Sequence, residues 1–321
     1  MERLETEIYL RYKQIIESQG VETSVCAGGE SPVSQRVRME DLLDRYDAFC
    51  FDGYGTLYNR GSFVYEGALD WYTMLRAAGK QMRLITNAAS DVDSVLAADA
   101  GKRGFAFSEA ETISSGSLLR DLVLQLRSRG IGAGLGVRRD LHEVYYIGRE
   151  TGKNVLAECG IKAVAPAAEP VEPIVAISSA KDTPETYEQA VKILRRPGSM
   201  LLVLNSDAWA PKIPDDDGVT AREPVSGALC ERLRRDSVCE ANPAGCETYY
   251  LGKPFPAIWE KVKRSLPAGA RVLMVGDTLG TDVLGARIAG FDSALVVGRN
   301  VPADELEADE QVLNVRPNWY L

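Results

Sequence analysis

AFCFDGYGTLYN, residues 48–59, runs through four apolar residues and then turns at an aspartate. Ala48–Phe51 has the length and composition of a strand buried on both faces, and the glycines at 53 and 55 end it. A carboxylate at the carboxyl end of such a strand stands where ligands bind in an open parallel sheet. Asp52 is therefore the first candidate functional residue, and Tyr54, two positions on, is an unusual neighbour for it.

Working outward, MEDLLDRY (39–46) upstream reads as helix. Downstream come helical ALDWYTMLRAAGK (68–80), strand MRLITN (82–87) and helical SDVDSVLAADAGKRG (90–104). The far end of the chain repeats the alternation. Helix PAIWEKVKRSL (256–266) precedes strand RVLMVGD (271–277), helix TDVLGARIAG (281–290) and strand SALVVG (293–298). Strands alternating with helices predict an α/β fold with a doubly wound parallel sheet. The stretch between has its own alternation: VYYIG (144–148), GKNVLAECG (152–160), IVAISS (174–179), PETYEQAVKILRR (184–196) and MLLVLN (200–205). This predicts a second α/β unit inserted into the first. PKIPDDDG (211–218) and RRDSVCEANPAGCE (234–247) read as loops, and residues 1–19 carry apolar side chains at helical spacing.

Composition sets the class. At 321 residues the chain can bury a substantial core, and 45% hydrophobic with 26% charged residues is ordinary for a globular protein. A net charge of −9 argues against nucleic acid as the main partner. Apolar runs such as MLLVL (200–204) are too short to span a bilayer, and MERLETEIYL lacks the basic and apolar regions of a signal peptide. The six cysteines form no C-x-x-C pair, so a reducing cytoplasm is the expected compartment. Cys239 and Cys246 are the one pair whose spacing leaves a bridge or a metal open. A single histidine, His142, excludes any mechanism that needs two.

Four segments end strands with polar residues: Asp52, Thr86-Asn87, Lys253 in YYLGKP, and Asp277 with Asp282 in VGDTLGTD. Singly, each is equally well a helix cap or a solvated loop residue. Together they make chemical sense. Carboxylates and a backbone carbonyl suit Mg²⁺. A lysine offsets part of their charge and holds an anionic substrate. A hydroxyl and loop N–H groups bind phosphoryl oxygens, and an aspartate beside them is a workable nucleophile for phosphorus.

The order D-x-x-G-T, T-N, G-K-P, G-D-x-x-x-x-D resembles the haloacid dehalogenase superfamily over roughly residues 45–300. ISSGSLLRDLV (113–123), LNSDAW (204–209) and SGALCERL (226–233) are similar to its class IIA group, the p-nitrophenyl-phosphatase-like enzymes. The resemblance implies a Rossmann-like core at 41–119 and 249–321, a class IIA cap at 120–248 and a helical N-terminal extension at 1–40. It implies a Mg²⁺-dependent phosphatase for a small phosphorylated metabolite, working through an aspartyl phosphate. Asp52 would be nucleophile and metal ligand. The Tyr54 carbonyl and Asp277 would be further ligands, and Asp282 a ligand or a support for the metal's water. Thr86 and Lys253 would act on the phosphoryl group. Gly53 and Asn87 would bind it, with Asn205 and Asp207 reaching it from the cap. Relatives that dimerise through the cap imply a homodimer.

One position departs from the pattern. Phosphatases of the family carry a second aspartate where this chain has Tyr54, and that aspartate serves as acid and base. A phenol, with a pKa near ~10, is a poor base at neutral pH. Turnover of alkyl phosphates is therefore expected to be slow. Tyrosine there also resembles the superfamily's 2-haloacid dehalogenases, so attack on carbon, or phospho-ligand binding without turnover, are the alternatives.

Overall fold

The computed structural model describes residues 4–23, 35–128 and 141–321. The larger sheet has seven strands, all parallel. Across it run Gln35–Arg36, Trp319–Tyr320, Asp292–Leu295, Val272–Gly276, Ala48–Phe51, Gln81–Thr86 and Thr112–Ser114. Ala48–Phe51 and Val272–Gly276 are neighbours, with Phe51 opposite Val275. From the first the chain winds toward one edge of the sheet, and from the second toward the other. The order thus reverses between these two strands, which opens a crevice beyond their carboxyl ends. Asp52 and Asp277 are the first residues past those ends.

Every side chain of both central strands is buried, because helices cover both faces. Phe49, Phe51, Leu84, Leu273 and Val275 pack with Leu75 and Phe105 on one face. Cys50, Ile85 and Met274 pack with Ile258, Trp259 and Val262 on the other. This double burial explains why the strands read as unbroken apolar runs.

A second sheet of five parallel strands forms the cap: Glu247–Tyr250, Met200–Val203, Ile174–Ile177, Glu143–Ile147 and Lys162–Ala163. The first of these spans both sides of the expected boundary at 248. Helices Pro184–Leu194 and Ser226–Asp236 cover one face of it. An antiparallel hairpin, Trp209–Pro211 with Arg222–Pro224, reaches from the cap over the core.

Several local expectations give way. MEDLLDRY makes only one 3₁₀ turn, Met39–Leu42. PKIPDDDG begins in the hairpin's first strand, and RRD of the supposed loop at 234–247 ends helix Ser226–Asp236. Cys239 and Cys246 are free thiols and do not bridge. Among the described residues no helix is long and apolar enough to cross a membrane.

The N-terminal helix, Leu4–Ser18, is not peripheral. Its buried stripe of Ile8, Tyr9, Tyr12 and Ile16 packs on Ala208 and Ala228 of the cap and on Phe255, Leu279, Val283 and Leu313 of the core. Tyr9 lies so close to Gly280 that a Cβ there would sit 2.0 Å from the ring. Arg11 pairs with Glu231 of the cap, while Thr6 and Lys13 bond Asp309 and the Leu313 carbonyl of the core. The helix therefore spans the seam between the two units.

Candidate active site

The crevice at the reversal point gathers residues of all four segments, although Lys253 follows the cap strand Glu247–Tyr250 and does not end a strand of the core sheet. Lys253, fully buried, donates to Asp52 Oδ1 at 2.5 Å, to Asp282 Oδ1 at 2.7 Å and to the Ile85 carbonyl at 3.2 Å. The second oxygen of Asp282 accepts from the backbone N–H groups of Asp277 and Thr278. Both oxygens of Asp282 are thus engaged in holding the lysine and the Asp277 loop. Asp277 differs. Its Oδ1 accepts from the Thr278 hydroxyl, whereas its buried Oδ2 meets no donor among the described residues.

Three carboxylates face one ammonium, and the electrostatics register the imbalance. Burial pushes the Asp52 carboxyl up to about 7 against the pull of Lys253. Burial, then Asp52 and Asp282, push Asp277 well above the usual carboxylate range. Burial alone would lower the Lys253 ammonium, but Asp282, Asp52 and Asp207 together raise it. Carboxylates this short of positive charge suit a cation. Asp52, Asp277 and nearby backbone carbonyls form an oxygen donor set of the kind Mg²⁺ takes, and the unpartnered Asp277 Oδ2 fits one. Among the described residues no three His, Cys, Asp or Glu side chains converge as a ready cage.

The Asp52 loop is built for close approach. Gly53 O accepts from the N–H groups of Leu57 and Tyr58, closing the turn. Gly55 has φ +97°, and a Cβ there would lie 1.9 Å from Asp277 Oδ2. Only glycine suits both the backbone angle and the gap. Arg299, which no sequence pattern marked, donates to the carbonyls of Gly55 and Thr56 and stacks on Tyr65 at 3.8 Å.

Tyr54 points elsewhere. Its hydroxyl lies 3.5 Å from Asp99 Oδ2 on helix Asp93–Lys102, where Asp99 is already paired with Arg103 at 2.6 Å. Its ring stands edge-on to Tyr58, and its phenol is raised by burial and by Asp99. The phenol is thus committed to a helix flanking the crevice.

Thr86 and Asn87 sit at the next strand end. The Thr86 hydroxyl accepts from the Ala88 N–H. Asn87 is a hub between core and cap: its Nδ2 donates to Asp207 Oδ1 (2.8 Å), Ser206 Oγ (3.1 Å) and the Lys253 carbonyl (3.1 Å). Its Oδ1 accepts from the Lys253 N–H. The cap segment 205–208 therefore enters the crevice. Asn205 turns inward on its own loop, accepting from the Asp207 N–H at 2.8 Å. Ser206, which also donates to the Lys253 carbonyl, is a crevice residue the sequence did not single out. Asn59 is another: its Nδ2 bonds the Pro211 carbonyl of the cap hairpin. Neither type at such a position carries a sequence signal.

Comparison with known proteins bears on both halves of this arrangement. A family model described as haloacid dehalogenase-like hydrolase matches residues 49–162, and a second, HAD-hydrolase-like, matches 250–319. The chain is similar to chronophin of Mus musculus, 26% identical over 273 residues, covering 84% of this chain and 87% of that one. It is also similar to D-glycerol 3-phosphate phosphatase of Mycobacterium tuberculosis, 26% identical over 274 residues, 84% of this chain and 69% of that one. Among solved structures, a possible sugar phosphatase from Cytophaga hutchinsonii superposes with a TM-score of 0.70 at 22% identity, covering 89% and 97% of the two chains.

Proposed function

We propose, from the premise that this chain belongs to the haloacid dehalogenase superfamily and to its class IIA phosphatase branch, that it hydrolyses a small phosphorylated metabolite through an aspartyl phosphate on Asp52. The observation that carries the reading is the buried Lys253 ammonium bridging Asp52 and Asp282 beside the unpartnered Asp277 Oδ2. The chronophin and glycerol 3-phosphate phosphatase likenesses support phosphorus over carbon as the atom attacked.

Asp52, the Tyr54 carbonyl and Asp277 would hold Mg²⁺, which supplies charge that offsets the repulsion between carboxylate and phosphate. Lys253 orients the Asp52 carboxylate and draws off charge from a bound phosphoryl group. Thr86 and the N–H groups of the Asp52 loop, Gly53 among them, bind that group's oxygens. Asp282 acts as a positioning residue, since both its oxygens are engaged. The Asp52 oxygen then bonds to phosphorus as the ester oxygen leaves, and water releases phosphate in a second displacement. The Asp52 loop itself carries no acid, so leaving groups that need no proton react fastest unless another residue supplies one.

The test is turnover of 4-nitrophenyl phosphate. We expect hydrolysis that EDTA stops and Mg²⁺ restores, and that Asp52→Asn lowers by more than about 10³-fold in kcat. Undiminished turnover in that variant would remove Asp52 from the mechanism.

A further inference from the structure

We propose that Asp207, from the cap, supplies the acid–base carboxylate that the Asp52 loop lacks. The inference rests on the phosphatase reading above. In an in-line displacement the attacking and leaving oxygens lie on opposite sides of phosphorus. Asp52 attacks from the sheet, so the leaving oxygen faces the side that the cap covers. The cap segment on that side is 205–208, which bonds Asn87 and the Lys253 carbonyl.

The other carboxylates near the crevice are committed, Asp91 among them through its bond with the Thr151 side chain. Asp52 is the nucleophile, Asp277 fits the cation, Asp282 is bonded through both oxygens, and Asp99 is paired with Arg103. Asp207 makes a single side-chain hydrogen bond among the described residues, Oδ1 to Asn87 Nδ2. It is half-buried, and burial pushes its carboxyl up to about 6. A carboxyl poised there can both give and take a proton near neutral pH. The charged and titratable groups that act on it are Lys253, Asp52 and Asp282 from the core and Glu5, Tyr9 and Tyr12 from the N-terminal helix.

Its backbone is held from several directions. The Tyr12 hydroxyl donates to the Ser206 carbonyl at 3.0 Å, and the Tyr9 hydroxyl accepts from the Ala208 N–H at 3.2 Å. Asp207 N–H donates to Asn205 Oδ1, and the Asp207 carbonyl accepts from the Gly227 N–H at 2.7 Å. The N-terminal helix thus grips the residues on either side of Asp207. Tyr9 and Tyr12 act as positioning residues for it.

The proton balance closes. As the Asp52 oxygen bonds to phosphorus, the ester P–O bond breaks and the Asp207 proton passes to the leaving oxygen, releasing an alcohol. The Asp207 carboxylate then takes a proton from water while that water's oxygen bonds to phosphorus and the bond to Asp52 breaks. Phosphate leaves and the Asp207 acid is restored.

The experiment is stopped-flow hydrolysis of 4-nitrophenyl phosphate by full-length Asp207→Asn, which keeps an oxygen to accept from Asn87. Nitrophenolate leaves without a proton, so the first step should survive while the second slows. The expected result is a burst of one nitrophenolate per enzyme, then steady turnover lowered about 10²-fold. Adding Tyr54→Asp to that variant should restore much of the steady rate. A raised KM with kcat unchanged and no burst would overturn the proposal, leaving Asp207 a binding contact. So would a fall of burst and steady rate together in a variant whose melting curve matches the parent. Failure of the parent protein to turn over this ester at all would instead sink the phosphatase reading.

Discussion

The two loops that meet in the crevice are held by different physics. The Asp52 loop and its neighbours are fixed by charge: a buried ammonium bonds two carboxylates, and a third lies alongside. The cap loop 205–208 is fixed by backbone and side-chain hydrogen bonds, one of them to the Asp207 carboxyl, and by aromatic packing, from Asn87 below and from Tyr9 and Tyr12 behind. Burying unbalanced charge costs stability, so the core loop carries a cost that a bound cation would relieve. The cap loop carries less of it, in the single carboxyl of Asp207, and brings that group to the place the core has prepared. The core thus holds the proposed nucleophile, the cap brings Asp207 toward it, and the N-terminal helix ties the two units together.

Breaking each loop at its own kind of contact should give losses of different size. The largest is expected for Lys253→Met, which leaves buried carboxylates unpaired. We expect a loss of about 3–5 kcal/mol in urea unfolding of the metal-free protein. Gly55→Ala comes next. The new Cβ must adopt a left-handed angle and displace Asp277, at about 1–3 kcal/mol for the backbone alone. Because the displaced oxygen belongs to the proposed cation site, the Mg²⁺ concentration for half-maximal activity should also rise. Tyr12→Phe is the smallest: one neutral hydrogen bond to the Ser206 carbonyl, about 1 kcal/mol. A Tyr12→Phe loss as large as that of Lys253→Met would mean the cap loop is held far more tightly than its contacts imply.

What the sequence could and could not reveal follows the same division. The strands Ala48–Phe51 and Val272–Gly276 were legible because burial on both faces leaves unbroken apolar runs, and Gln81–Thr86 was legible although Arg83 interrupts its run. The polar residues that end them stood out against those runs. The two-residue strands Gln35–Arg36 and Trp319–Tyr320 were not legible, since two residues carry no periodicity. The hairpin at 209–224 hid behind prolines and aspartates that read as loop. The amphipathic stripe of the N-terminal helix was visible, but a stripe does not say what it will cover. The direction of Tyr54 depends on Asp99, 45 residues away, and Asp207's surroundings come from several separated parts of the chain. Contacts of that range leave no local pattern.

The central claim is covalent chemistry at Asp52, and rapid acid quench addresses it most directly. Protein mixed with Mg²⁺ and 4-nitrophenyl phosphate is quenched during the first turnover and mapped by peptide mass. The account predicts one added phosphoryl group on the peptide that contains Asp52, and none in Asp52→Asn. Turnover that persists in Asp52→Asn, or a phosphoryl group found on another residue, would contradict it.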